Sequence, residues 1–333
     1  MEDKRRDYLF DNLKILLIFL VVFGHAVANV GTNIALRGSL YIFIYLFHMP
    51  LFVFVSGYFS KNIDKCRAKA IKDLLLPFIV FNLIWYASVG NFKFPIYYPG
   101  WTLWYLLSLF VWRFFLKDII GIKWVLGLSM ILGLLVGFVE NYSSFLSFSR
   151  TFAFLPFFLL GYYTNSSVIN KIKAYPKVIS VTGLTTIGLF SFLMAKYNVL
   201  DYTFLYLTSS YESFGLGVVQ GTLLRTIFYI ITILTSAFVI NLVPSRKFYL
   251  SKLGANTMMI YLGHIYMLKY LNRFVPVFDS PIANLGIMIL YSILICAFLS
   301  LPIFMNIYKF VFGKLNYGVD TLYGKVKPTN TTL

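Results

Sequence analysis

The chain has 333 residues, 59% of them hydrophobic and only 12% charged, with a mean hydropathy of +0.78. A soluble globular domain carries about 25% charged residues, so this composition excludes one and points to an all-α, polytopic membrane protein. The formal charge of +17 must be set against membrane topology before any nucleic-acid partner is invoked, and two cysteines and three scattered histidines suggest neither a disulfide framework nor a zinc site.

Ten apolar segments are long enough to span, at about 17 to 25 residues each: 13–30, 39–60, 72–90, 100–117, 121–139, 150–165, 176–195, 219–243, 256–273 and 283–308. No linker, low-complexity tract or repeat interrupts them, so residues 1–333 read as one domain. The first contains DNLKILLIFLVVFGHAVA, from Asp11 to Ala28. Lys14 and His25 lie almost three turns apart on nearly one face, separated by ~16 Å of rise. Ionisable residues are expensive in lipid and mark sites, and all three histidines fall in apolar segments. Lys4, Arg5 and Arg6, the apolar run and Ala26-Val27-Ala28 imitate a secretory signal, but Asp11 and Lys14 intrude, so the segment is expected to be retained as a span.

The second segment holds Phe47-His48-Met49-Pro50-Leu51-Phe52. Pro50 cannot donate to the carbonyl of Leu46, and a freed carbonyl in a bilayer needs a protein group or a wet cavity to satisfy it. Ser56 and Gly57 follow, small enough for close helix packing; a structural proline kink would read the same. In the fourth segment Trp101 and Trp104 are an interfacial anchor or, beside a site, a surface for stacking on substrate. Arg150 opens the sixth segment, and Arg225 lies ~9 Å into the eighth; each either snorkels to the interface or contacts a phosphate, carboxylate or developing oxyanion. The connection from Lys196 to Gly217, rich in Tyr and Phe, is an aromatic belt or a lid that stacks on a sugar ring. By helix rise, His25 lies ~18 Å from the start of its span and His48 ~13 Å from the opposite surface, at similar depth, whereas His264 lies ~12 Å above the first surface, nearer the other side of the membrane.

Of the 29 Lys and Arg, 22 fall on one side of this alternation, which by the positive-inside rule puts both termini in the cytoplasm. The same split accounts for most of the net charge without nucleic acid.

The motifs DNLK...VVFGH, FHMPLFVFVSGYF, TLWYLL, SR...F.PFFLLGYY, the Arg225 helix and GANTMMIYLGH ending at His264, in this order, resemble the acyltransferase-3 family of integral membrane acyltransferases, in particular a branch resembling fucose O-acetylases. In that family a basic residue ahead of a helix-1 histidine is the central motif, which maps onto Lys14 and His25. Most members have Arg there; Lys keeps the charge but loses the bidentate fork. Some members carry a further soluble esterase-like domain, which is not expected here. The resemblance implies a multi-pass cell-membrane enzyme that moves an acyl group, acetyl above all, from acyl-CoA to a hydroxyl of a cell-surface or exported polysaccharide such as a capsule. It has membrane lipid around it, no nucleic acid, no metal and no permanently bound cofactor, acetyl-CoA being the donor and a glycan or lipid-linked sugar the acceptor. Histidine suits a base near neutral pH, and His25 is expected to serve, by direct transfer or through an acyl-histidine, with His48 beside it. Lys14, with Asp11 next to it, is expected at the donor phosphate. Arg150, Arg225 and Trp104 are expected around the acceptor or thioester, and Asn256 and His264 at the donor entrance. The alternative is a transporter or flippase for a lipid-linked glycan, since broken helices and intramembrane charges are expected there too.

Overall fold

Backbone groups have no water partner in lipid and must bond within their own segment, and every regular element of this computed structural model, which describes residues 7–27, 34–91, 97–140, 144–248 and 257–326, is helical. In order these are α1 (Tyr8–Val27), α2 (Ile34–Tyr45), α3 (His48–Tyr58), α4 (Ile63–Ala70), α5 (Leu76–Ser88), α6 (Trp104–Ile119), α7 (Val125–Leu135), α8 (Phe148–Tyr163), α9 (Ser166–Ala174), α10 (Lys177–Lys196), α11 (Val218–Leu242), α12 (Thr257–Leu271), α13 (Pro281–Leu299) and α14 (Pro302–Val326). Among the described residues seven helical stretches have the length and hydropathy to cross a membrane: Tyr8–Val27, Ala35–Tyr58, Ile63–Ser88, Phe145–Tyr163, Lys177–Lys196, Val218–Leu242 and Pro281–Leu299. They match seven of the ten expected segments. The other three are helical but shorter, namely α6, α12 and the run Val125–Phe138.

Two boundaries differ from expectation. The third segment starts early, because basic α4 runs through a π turn at Ile71–Leu75 into α5. The tenth, expected to reach residue 308, ends at Leu299. The Ser300 hydroxyl turns back to the Cys296 carbonyl at 2.6 Å, and Pro302 starts a separate helix, since proline is tolerated in a first turn but not in a helix interior.

Helix α1 runs through the centre, with Leu13, Leu17 and Val22 fully buried, so the signal-like stretch is part of the core. The second segment breaks at Leu46–Phe47, between α2 and α3. The Leu46 carbonyl that Pro50 leaves without a helical donor accepts the Thr232 hydroxyl of α11 at 2.7 Å. The cost of the proline is thus met by a neighbouring helix, and the break aims His48 inward.

Helices α3 and α8 cross on glycines. A Cβ on Gly57 would lie 1.9 Å from the Phe158 carbonyl oxygen, and one on Gly161 1.9 Å from that of Phe54. Neither backbone can yield without parting the helices, so small residues are required here for close approach. Lys61 secures the same pair, donating to the carbonyls of Tyr162 and of Thr164 (2.6 Å) at the end of α8, where a cation also complements the helix dipole. Gly161→Val is expected to destabilise the fold by several kcal/mol, at or above the about 1 to 3 typical of overpacking. The check is the yield of monodisperse protein in detergent; wild-type yield and melting temperature would contradict this reading of the crossing.

Candidate active site

At the end of the bundle opposite the start of α1, a cavity of about 130 Å³ is lined by residues from α1, α2, α3, α6, α8, α12 and the connection between α10 and α11. His25, two residues from the end of α1, contributes from one side, and His48, the first residue of α3, from another. The His48 Nδ1 lies 2.8 Å from the Ile44 carbonyl. A carbonyl only accepts, so Nδ1 carries the proton and Nε2 keeps its lone pair. The His25 ring stands edge-on to Trp101 with centroids 5.0 Å apart.

Arg150, near the start of α8, lies with its guanidinium 4.7 Å above the Trp104 ring, and both line the cavity. Arg150 makes no ion pair among the described residues. A cation in a membrane protein with an aromatic face on one side and no carboxylate partner is suited to a substrate anion or a developing oxyanion.

His264 stands elsewhere than its helix rise suggested. Its ring stacks on that of His25, with centroids 5.6 Å apart, instead of lying nearer the opposite side of the membrane. The reason is where α12 sits. Ile260, one turn before His264, lines a groove together with Ile15, Leu16 and Phe19 of α1, which sets His264, one turn further on, at the level of His25. The His264 Nδ1 donates to the Tyr261 carbonyl at 2.7 Å, leaving Nε2 as a buried acceptor with no hydrogen-bond partner among the described residues. The three histidines therefore gather round one point.

The other expected residues lie apart. Lys14 is at the start-of-α1 end, 3.6 Å from Asp11 and 4.6 Å above the Phe59 ring, and the cavity does not extend to either. Arg225 is fully buried but does not line the cavity. It donates to the Gly133 carbonyl of α7 at 3.1 Å and lies 4.6 Å over the Tyr211 ring, pinning the α10–α11 connection to the bundle. Asn256 lies outside the described residues.

Aromatic rings complete the wall: Tyr41, Tyr45 and Tyr261, which sequence reasoning passed over, and Tyr206 from the Tyr- and Phe-rich connection it singled out. Tyr45 meets His48 edge-on at 4.7 Å, and Tyr206 lies 5.0 Å from Tyr45, so the aromatic connection does reach the cavity. Burial, and after it the neighbouring Tyr202 and Asp201, raises the Tyr206 phenol above its usual range, keeping it a neutral hydroxyl. A signal for one of these rings was available: Tyr261 precedes His264 by three residues within α12, the spacing that puts both on one helix face, whereas Tyr45 reaches His48 across the break between α2 and α3.

Residues 7–301 match the family model described as an acyltransferase domain. Two relatives are similar over part of their length. Nodulation protein NolL of Sinorhizobium fredii (strain NBRC 101917 / NGR234) is 27% identical over 181 residues, covering 47% of this chain and 48% of the relative. Nodulation protein NolL of Mesorhizobium japonicum (strain LMG 29417 / CECT 9101 / MAFF 303099) is 30% identical over 99 residues, covering 28% and 26%. The chain thus spans about half the length of the first relative and about a quarter of the second. No solved structure matches.

Proposed function

The chain belongs to the acyltransferase-3 family, and from that membership we propose that it is a cell-membrane O-acetyltransferase moving an acetyl group from acetyl-CoA to a sugar hydroxyl of a cell-surface or exported glycan. The observation that carries this reading is Arg150, which makes no ion pair among the described residues, beside His25 and His48 in an aromatic-walled cavity. A sugar presents apolar faces to rings and hydroxyls to imidazoles, which is what this wall offers.

In the proposed reaction a ring nitrogen of His25 takes the acceptor hydroxyl proton as that oxygen bonds to the thioester carbonyl carbon. Arg150 faces the oxyanion that develops. The intermediate collapses, the C–S bond breaks, and the thiolate leaves with the proton held by His25, giving ester and free CoA. His48, its lone pair set by the Ile44 carbonyl, orients the acceptor, and His264 stacks on the base. With the start of α1 on the cytoplasmic side, as the Lys and Arg distribution indicates, donor enters past Lys14 and acceptor from the opposite surface.

The test is reconstitution in vesicles with acetyl-CoA supplied at the start-of-α1 face and glycan at the other. One ester should form per thiol released; thiol release without ester, or glycan movement without either, would end the reading.

Lys14 should act through charge. Lys14→Arg is expected to keep KM for acetyl-CoA near wild type, whereas Lys14→Glu raises it about 10- to 100-fold, the value of a charge-assisted contact of ~1.5 to 3 kcal/mol. Equal KM in wild type and Lys14→Glu would remove Lys14 from donor binding.

A further inference from the structure

The aromatic wall of the cavity continues outward along one face of α2. Arg37, Tyr41 and Tyr45 follow one another at intervals of four residues, which puts them on that face one turn apart. Tyr41 and Tyr45 line the cavity. Arg37 lies a further ~6 Å of rise toward the mouth, because α2 begins at the end of the bundle where α1 finishes. The connection between α10 and α11 packs on the same face. The Tyr202 ring is stacked on that of Tyr41, with centroids 4.8 Å apart and planes 7° from parallel, and the Tyr206 ring lies 5.0 Å from that of Tyr45. Four tyrosines thus form one continuous wall. Arg37 stands at its outer end, close enough to the Tyr41 and Tyr206 hydroxyls to interact electrostatically with both.

Arg37 is half-buried and makes no hydrogen bond and no ion pair among the described residues. Asp201 is the carboxylate that acts on Tyr206, but its work is local. It accepts from the Thr203 N–H at 2.9 Å and from the Thr203 hydroxyl at 2.7 Å, capping the turn Tyr202–Tyr206 that carries both rings. Topology does not call for Arg37, which lies on the side of the membrane poor in Lys and Arg. An arginine that snorkels along lipid would turn away from the bundle, whereas helix spacing sets this one on the face that Tyr41 and Tyr45 turn to the cavity. A cation without a counter-ion, at the rim of a wall of phenol hydroxyls, is suited to a carboxylate or a phosphate on the molecule that enters there.

We propose that this wall is the subsite for the part of the acceptor next to the acetylated sugar, and that Arg37 makes it selective for an anionic group there, a sugar carboxylate or the phosphate of a lipid carrier. The assignment rests on the glycan acetylation proposed above and adds to it the charge of the acceptor. The experiment takes acceptor from a deletion strain in three forms: lipid-linked glycan, glycan released from the lipid phosphate by mild acid, and released glycan whose carboxylates have been reduced to alcohols. In phosphatidylcholine nanodiscs, KM for the lipid-linked form is expected to be about 10- to 100-fold higher in Arg37→Gln than in wild type, the effect of losing a charge-assisted contact, with Arg37→Lys between them. The kcat and the KM for acetyl-CoA should stay at wild-type values. Removing the contacted anion should cost wild type the same factor and Arg37→Gln nothing further. An Arg37-dependent loss on release from the lipid assigns the phosphate, and one on carboxyl reduction assigns the carboxylate. Weaker membrane partitioning after release acts on wild type and variant alike, so it drops out of the comparison. Since Arg37 holds no other group by a hydrogen bond or ion pair among the described residues, the variants should elute and melt as wild type does. An unchanged KM in Arg37→Gln for the lipid-linked form, or a rise of the same size for all three forms, would overturn the subsite while leaving acetyl transfer intact. Wild-type protein that forms ester on none of the three would overturn the acetylation reading and the subsite together.

Discussion

His25→Gln is expected to lower the rate of acetyl transfer by about 10² to 10⁴, the usual contribution of a general base, with the protein still folded and inserted. Gln keeps the polarity and much of the volume but cannot take a proton near neutral pH. The packing supports a clean result, because His25 is only half-buried and lies two residues from the end of α1, while the fully buried anchors of that helix are Leu13, Leu17 and Val22. His48→Gln should cost less, since its proposed work is orientation. Measured as initial rates in nanodiscs at equal protein levels, a His25→Gln rate within a few-fold of wild type would exclude it as the base. His264 would then be the first alternative, for its Nε2 is an acceptor beside the same ring.

Arg150→Ala should cost about 10² to 10³ in kcat, the effect of removing a group aimed at a developing oxyanion. If Arg150 acts on the transition state, KM for acetyl-CoA changes little; if it holds a ground-state anion, KM rises instead. Arg150→Lys tests the geometry. Lysine carries the charge but lacks the planar group that lies over Trp104 at 4.7 Å, so an intermediate rate is expected. An unchanged kcat in Arg150→Ala would confine this arginine to packing against Trp104.

How far the sequence speaks is best judged on particular elements. Pro50 announced a broken second segment and a carbonyl in need of a partner, and both are present; that the partner would be Thr232, 186 residues away, was beyond any local pattern. Gly57 signalled a tight crossing, though its counterpart Gly161 emerges only when α8 is laid against α3. His25, His48 and Arg150 were read from chemistry that is costly in lipid, Trp104 as an interfacial or stacking ring, and all four share one cavity. His264 was misjudged for a physical reason. Hydropathy tells whether a segment is apolar, and rise gives distance from its first residue, but neither tells how a helix is set against its neighbours in depth. Arg225 shows a related limit: a buried arginine can serve loop anchoring, through Gly133 and Tyr211, as well as a substrate. The break after Leu299 was hidden because residues on both sides of Pro302 are apolar, and only the local turn chemistry separates α13 from α14.

The central claim, that this cavity O-acetylates a glycan, is tested most directly by proton NMR of purified surface glycan from a deletion strain complemented with wild type or with His25→Gln. O-acetyl methyl signals should be lost on deletion, return with wild type, and stay absent with a His25→Gln protein present in the membrane at wild-type level. Acetyl signals that persist in the deletion strain, or that return fully with His25→Gln, would contradict the account.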